Sequence, residues 1–223
     1  MREIPGIPYR FNDPELLELA LSHRSVGRIN NERLEFLGDS ILNFVVSVRL
    51  FHLKDENNEG ALSRLRARVV RGDTLAKLAA ELNLGDHIRL GEGEMKSGGF
   101  KRKSILADTL EAIFGAIYLD GGFESCEQVV QHVCDPYIKE LPDADELKDP
   151  KTRLQEWLQG RAYSLPEYKL VSETGPSHKK KFLIQCASDE AGINVTGSGA
   201  SRQKAEQDAA STALKFISGK SAK

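Results

Sequence analysis

Asn31-Glu32-Arg33-Leu34-Glu35-Phe36-Leu37-Gly38-Asp39-Ser40 opens the segment whose reading decides the fold. From Asn31 to Leu53 the apolar residues Leu34, Leu37, Ile41, Phe44, Val45 and Val48 recur at close to helical spacing, which predicts a helix with one face turned to a core. Glu32, Glu35 and Asp39 stand at i, i+3 and i+7, so all three share a face beside that stripe. Like charges so spaced repel, and Arg33 and Arg49 cannot neutralise all three locally.

A second acidic pair lies far along the chain. Asp108 and Glu111 repeat the i, i+3 offset among Ile105, Leu106, Leu110, Ile113 and Phe114. One acidic pair on a helix is ordinarily a solvated face, since surface Asp and Glu are the norm. Two acidic edges, each flanked by core residues, fit that explanation less well. If the two helices pack together, four carboxylates face one another, and such a cluster needs a cation. All-oxygen ligation suits Mg²⁺ or Mn²⁺ rather than zinc. A divalent ion so held activates water and stabilises in-line displacement at phosphorus. His23 could serve as a base, but a lone histidine is more often a structural hydrogen-bonder, and it is assigned no role.

Around these motifs the first 140 residues read as helices only. Asp13-Pro14-Glu15 has the form of a helix start, with Leu16, Leu17, Ala20 and Leu21 at helical spacing behind it. Helices are also expected over 61–70, 73–82, 104–118 and 123–138, with 91–103, rich in Gly, Lys and Ser, as a mobile loop. Leu141 to Pro150 is acidic with proline near each end and reads as a linker. Beyond it the period changes. A short helix over 152–159 precedes alternation at Tyr168 and Leu170, then at Phe182, Ile184 and Cys186, then a third strand over 193–196. Gly197-Ser198-Gly199 breaks that strand. A final helix starts near Ser201 and carries Ala205, Ala209, Ala213, Leu214 and Ile217. The expected architecture is multidomain: an all-α domain over 1–140, an acidic linker over 141–150, and a small α+β module (α-β-β-β-α) over 151–219, both its helices on one face of an antiparallel sheet.

Composition narrows the function classes. The 223 residues carry a net charge of -2, which argues against a uniformly basic polyanion binder. The average conceals a split: 149–223 carries 12 Lys+Arg against 8 Asp+Glu, and the remainder 19 against 25. A basic module behind an acidic one hints at a polyanion partner for the former. No apolar run approaches the roughly 20 residues of a membrane span, and Met1 to Tyr9 lacks a secretory pattern. Cys126, Cys134 and Cys186 are too few and scattered for a disulfide framework, so reduced thiols in the cytoplasm are expected.

The stretch 31–40 resembles the signature of the ribonuclease III family. Ala107-Asp108-Thr109-Leu110-Glu111-Ala112 resembles the family's second acidic motif, and Glu59-Gly60 before Leu62-Ser63-Arg64-Leu65-Arg66 also matches. The likeness spans nearly the whole chain, including the domain order. It implies that Glu35, Asp108 and Glu111 ligate a catalytic Mg²⁺, for which Mn²⁺ could substitute. It implies that Asp39 and Glu111 are the residues most needed for hydrolysis, Asp39 helping to position the attacking water, with Glu32 and Glu59 supporting the site or contacting RNA. It implies a homodimer through the all-α domain, with two active sites in one RNA-binding valley. Each site would cut one strand, leaving a two-nucleotide 3′ overhang. Helix 31–53, with Phe36 and Leu37 protruding, would contribute to that interface; intramolecular core is the other reading of those two residues.

In the second module Lys179-Lys180-Lys181 follows Gly175-Pro176-Ser177-His178 in a turn, and Ser201-Arg202-Gln203-Lys204 opens the last helix. A short basic run alone is usually a solvated loop. A helix start already favours phosphate, and the cations add to it. Gln155, on the first helix, suits a 2′-hydroxyl. Helix, loop and helix start together suit duplex RNA read by shape. The order resembles a double-stranded-RNA-binding domain, which implies minor-groove contacts for Gln155 and His178 and phosphate contacts for Arg202, Gln203 and Lys204. The chain departs from that pattern at Gln203, where a second cation usually follows the serine.

These features predict a Mg²⁺-dependent endoribonuclease for double-stranded RNA that yields 5′-phosphate and 3′-hydroxyl ends. By the resemblance its substrates are stems in rRNA precursors and in some mRNA and tRNA precursors. The rival is a non-catalytic duplex-RNA-binding or ribosome-assembly protein. A decayed site would have lost carboxylates, whereas Glu35, Asp39, Asp108 and Glu111 are all present. A metal phosphohydrolase for small molecules is disfavoured by the basic module.

Overall fold

The computed structural model describes residues 1–176 and 179–221, the side chains of Lys220 and Ser221 excepted. The chain divides into two compact units, Met1–Ala144 and Asp145 onward. The first is built from α1 (Pro14–Ala20), α2 (Glu32–Leu53), α3 (Glu59–Val69), α4 (Gly72–Glu81), α5 (Glu92–Lys96) and α6 (Lys103–Lys139). The second runs α7 (Pro150–Gln159), β1 (Glu167–Thr174), β2 (Lys181–Ser188), β3 (Ile193–Gly199) and α8 (Arg202–Ser221).

Asp13 caps α1 by accepting a hydrogen bond from the Glu15 backbone N–H at 2.9 Å, with Pro14 in the first turn. α2 has the expected length, but its buried face is turned from the expected one. Leu34, Gly38, Ile41, Leu42, Val45, Val46 and Leu50 are buried, while Phe44 is exposed and Leu37 and Val48 lie at the edge. α2 carries apolar residues on both sides, so periodicity alone leaves its phase open. By length and composition this helix could also cross a bilayer, contrary to the reading of apolar runs; its buried face packs along α6.

The helices expected over 104–118 and 123–138 are one element, α6, bent where Gly122 adopts φ +79°. Leu110, Ile113, Phe114 and Ile117 of α6 are fully buried and form the spine of the first core, beside Leu17, Leu42, Leu65 and Leu75. The crossing of α2 and α6 is unusually close. A Cβ on Gly38 would stand 1.8 Å from the Glu111 carbonyl oxygen, and one on Gly115 would stand 2.3 Å from that of Leu34. The stretch expected as a mobile loop over 91–103 holds α5 and a 3-10 turn, Gly99–Lys101, braced by a Glu94–Arg102 ion pair at 2.5 Å.

The acidic stretch 141–150 is held by the units on either side of it. Ala144 is buried in the first unit, its carbonyl accepting from Arg64 Nε at 3.3 Å. In the second unit Lys148 pairs with Asp145 at 2.9 Å and Glu156 at 2.8 Å, and Asp149 caps α7.

The second unit is an antiparallel meander in the order β1-β2-β3, with Tyr168 opposite Cys186 and Gln185 opposite Thr196. Leu154 and Leu158 of α7 and Ala209, Ala210, Ala213 and Ile217 of α8 close over Cys186 and Ile193 as one core. Gly197 does not break β3, which runs on to Gly199. A Cβ on Gly197 would fall 2.0 Å from Ala209 N and one on Gly199 would fall 2.6 Å from Ala205 N, so these glycines let α8 lie directly on the strand.

Candidate active site

The α2–α6 crossing builds the site. Glu35 stands in the first turns of α2, and Asp108 and Glu111 stand one turn apart on α6. Their carboxylate oxygens lie within 4.8 Å of one another, and all three residues are partly buried. The close approach of Gly38 to the α6 backbone permits this, because it sets the turn of α2 that holds Glu35 and Asp39 directly over Asp108 and Glu111. The two acidic edges read from spacing therefore do meet.

The electrostatics show a cluster short of positive charge. Burial, followed by the charges of Asp39, Glu35 and Asp108, pushes the Glu111 carboxyl up to about 8. Glu35 is raised by burial and by Asp108 and Glu32, with Arg24 partly offsetting them. Asp108 is raised by burial, against the pull of His23 and Arg24. Such acids ionise together only when a cation compensates them, and three oxygen donors at this separation fit a hard divalent ion.

Asp39 is not one of the three converging groups. It is exposed at their rim, where its carboxylate accepts from Asn43 Nδ2 at 2.8 Å, and its charge bears on both Glu111 and Glu35. Glu32 is exposed outside the cluster, 3.8 Å from Arg24. Glu59 is elsewhere: it starts α3, accepts from Ser63 Oγ at 2.8 Å, and lines a separate cavity with Leu50, Phe51 and Arg66.

A cavity of about 460 Å³ opens beside the cluster, lined by Glu35 and Asp108 together with His23, Arg24 and Arg102. Sequence reading gave none of these three a place. Nothing in the spacing of His23 or Arg24 signals it, because a parallel bridge between Ser22 and Arg89 brings their segment in.

In the second unit Gln155 is exposed on α7, and Arg202, Gln203 and Lys204 are exposed on the first turn of α8. The Lys204 backbone N–H donates to Ser201 Oγ at 3.2 Å, so Ser201 caps the start of α8. Lys179 is exposed; Lys180 is exposed but donates to Glu173 at 2.5 Å. The Glu173 carboxyl is held low mainly by Lys180 and also by Arg202, and the register that pairs Phe182 with Gly199 brings the basic turn towards the α8 start. His178 lies outside the described residues.

Comparison with known proteins agrees with this geometry. Residues 13–137 match the Ribonuclease-III-like family model and 150–217 match that of the double-stranded RNA binding motif. The chain is 54% identical over 209 residues to Ribonuclease 3 of Hahella chejuensis, spanning 94% of this chain and 92% of that one. It is 53% identical to Ribonuclease 3 of Dechloromonas aromatica over 93% of each. A solved nuclease domain of ribonuclease III from Campylobacter jejuni superposes with a TM-score of 0.57 at 46% identity, over 58% of this chain and 92% of that one. The chain thus belongs to the ribonuclease III family, as a metal-dependent endoribonuclease of double-stranded RNA with its own duplex-binding module.

Proposed function

We propose that this enzyme cuts structured RNA through a Mg²⁺ centre held by Glu35, Asp108 and Glu111, with Mn²⁺ able to substitute. The convergence of these three carboxylates, with Asp39 at their rim, carries the reading. A divalent ion there supplies a Lewis acid that activates water and offsets charge at phosphorus. Asp39, steadied by Asn43, orients the attacking water by accepting its hydrogen bond. Glu111, the acid with the strongest hold on its proton, must lose that proton before the centre is complete. Glu32, which lines the cavity beside the cluster, supports the site, and Glu59, which lines a separate cavity, meets the RNA. The products are 5′-phosphate and 3′-hydroxyl ends with two-nucleotide 3′ overhangs. The substrates are stems in rRNA precursors and in some mRNA and tRNA precursors, processed in the cytoplasm, where the three buried thiols stay reduced.

In the duplex-binding module Gln155 and His178 read minor grooves, while Lys179, Lys180, Arg202, Gln203 and Lys204 meet phosphates. Lys180 keeps donors to spare beyond its pairing with Glu173. A homodimer brings two nuclease units together. Its support is the outer face of α2, where Phe36 is 78% exposed beside exposed Phe44 and Phe51, and the dimer-forming region named for the C. jejuni nuclease domain.

Incubation with a labelled long RNA duplex, with and without Mg²⁺ and beside a single-stranded control, tests the reading. Metal-dependent cutting of the duplex alone is expected. Equal cutting of single strands, or cutting in a chelator, would overturn it.

A further inference from the structure

The cavity beside the carboxylates holds a cation without a firm partner among the described residues. Of its two arginines, Arg102 is taken: it pairs with Glu94 at 2.5 Å and donates to Ser97 Oγ at 3.3 Å. Arg24 meets only Glu32, at 3.8 Å, in a pair whose side chains are 72% and 54% exposed. It nevertheless lines the same cavity as Glu35 and Asp108, two acids of the cluster.

The backbone beneath Arg24 is fixed. The His23 N–H donates to the Arg89 carbonyl at 3.1 Å and the Asn31 N–H to the Ser22 carbonyl at 2.9 Å. Ser25 Oγ accepts from the Gly91 N–H at 2.9 Å and lies 2.8 Å from His23 Nδ1. A planar fork of donors on an anchored base, facing solvent beside an acidic metal-type site, is arranged for an oxyanion.

We propose that Arg24 grips the backbone phosphate next to the scissile one on the strand being cut, drawing that strand into the cavity walled by His23, Arg24 and Arg102. This rests on the assignment of the acidic cluster as the cutting site. Arg24 then sets the register of the strand without joining the chemistry at the metal.

The test pairs substitution with substrate modification. A short hairpin duplex with one cut site carries a neutral methylphosphonate at each flanking phosphate in turn, and single-turnover cleavage is measured with Mg²⁺. Wild-type enzyme is expected to lose about tenfold at one such position, the worth of a charge-assisted hydrogen bond. Arg24→Gln should lose about as much on unmodified RNA and nothing more at that same position. Arg24→Lys keeps the charge and should retain the sensitivity there, which also covers the case of a poorly folding Gln variant. Mg²⁺ should still bind both variants, read by calorimetry, because Arg24 is outside the ligand set, and for Arg24→Lys, which keeps the charge, the affinity should stay within about twofold of wild type. Losses that multiply at every position, or a wild-type rate for Arg24→Gln, would overturn the proposal. So would weakened Mg²⁺ binding without phosphate coupling, which would make Arg24 only a tuner of the acids. Wild-type enzyme that leaves unmodified duplex intact would instead overturn the assignment of the cutting site.

Discussion

A Cβ on Gly38 would stand 2.9 Å from the backbone nitrogen of Gly115, so α2 and α6 cross with their main chains nearly touching. The metal-type cluster is a consequence of that contact. Glu35 and Asp39 lie just before and just after Gly38, and Asp108 and Glu111 lie in the two turns before Gly115. Any side chain at the crossing spreads the helices, and with them the carboxylates.

Gly38→Ala should therefore act on both stability and metal affinity. Overpacking of this kind costs about 1–3 kcal/mol, and it falls here on rigid backbone rather than on a flexible side chain. A thermal melt should show a lowered midpoint, and calorimetry should show weaker Mg²⁺ binding in the protein that remains folded. An unchanged midpoint and affinity would mean that the crossing has slack the geometry does not show.

How much of this was legible in the sequence follows from the kind of signal each residue gives. Glu35, Asp108 and Glu111 were readable because helical spacing fixes which acids share a face. Their meeting was not, since it depends on Gly115 answering Gly38, and a glycine gives no hydropathy signal. Spacing leaves the phase of α2 open because Phe36, Phe44 and Phe51 add apolar side chains to its outer face. Gly197 and Gly199 read as a strand end because turn residues and close-packing residues are the same residue. His23 and Arg24 reach the site through a two-residue bridge, too short for any pattern.

Glu111→Gln should abolish cutting while duplex binding persists, because binding rests largely on the second unit. The same substitution removes a buried charge that Asp39, Glu35 and Asp108 all oppose. The advantage of the metal-free variant over the metal-free wild type should thus grow as pH rises from the ordinary glutamate range and be full above about 8, where Glu111 ionises. Cleavage assays, gel shifts and melts at pH 9 check the three outcomes. Retained cutting would remove Glu111 from the centre.

The pH dependence has a definite sign. Folded and metal-free, Glu111 keeps its proton up to about 8, whereas the unfolded chain loses it near the ordinary glutamate value. Between those limits the folded state binds more protons, so its stability is full at low pH and falls as pH rises through the window. Saturating Mg²⁺ fixes the carboxylate as the anion and removes the trend, since proton and metal compete. Melts from pH 5 to 9 with and without Mg²⁺, together with proton release on Mg²⁺ binding at pH 7, should show this. A melting midpoint independent of pH without metal would contradict it.

The start of α8 offers a quantitative test in the second unit. Each cation that neutralises a phosphate releases counterions, and removing one flattens the dependence of binding on salt by about 1 in a logarithmic plot. Arg202 and Lys204 are both exposed beside the capped helix start, so replacing both with Gln should flatten the slope by about 2. Gln203 lies exposed between them and carries no charge, so Gln203→Arg should steepen the slope by about 1 and tighten binding most at low salt. Duplex titrations from low to physiological salt, in the Glu111→Gln background to prevent cutting, give all three slopes. Identical slopes for wild type and the double variant would move the phosphate contacts off this helix. A Gln203→Arg variant with unchanged slope would show that residue 203 points away from the RNA.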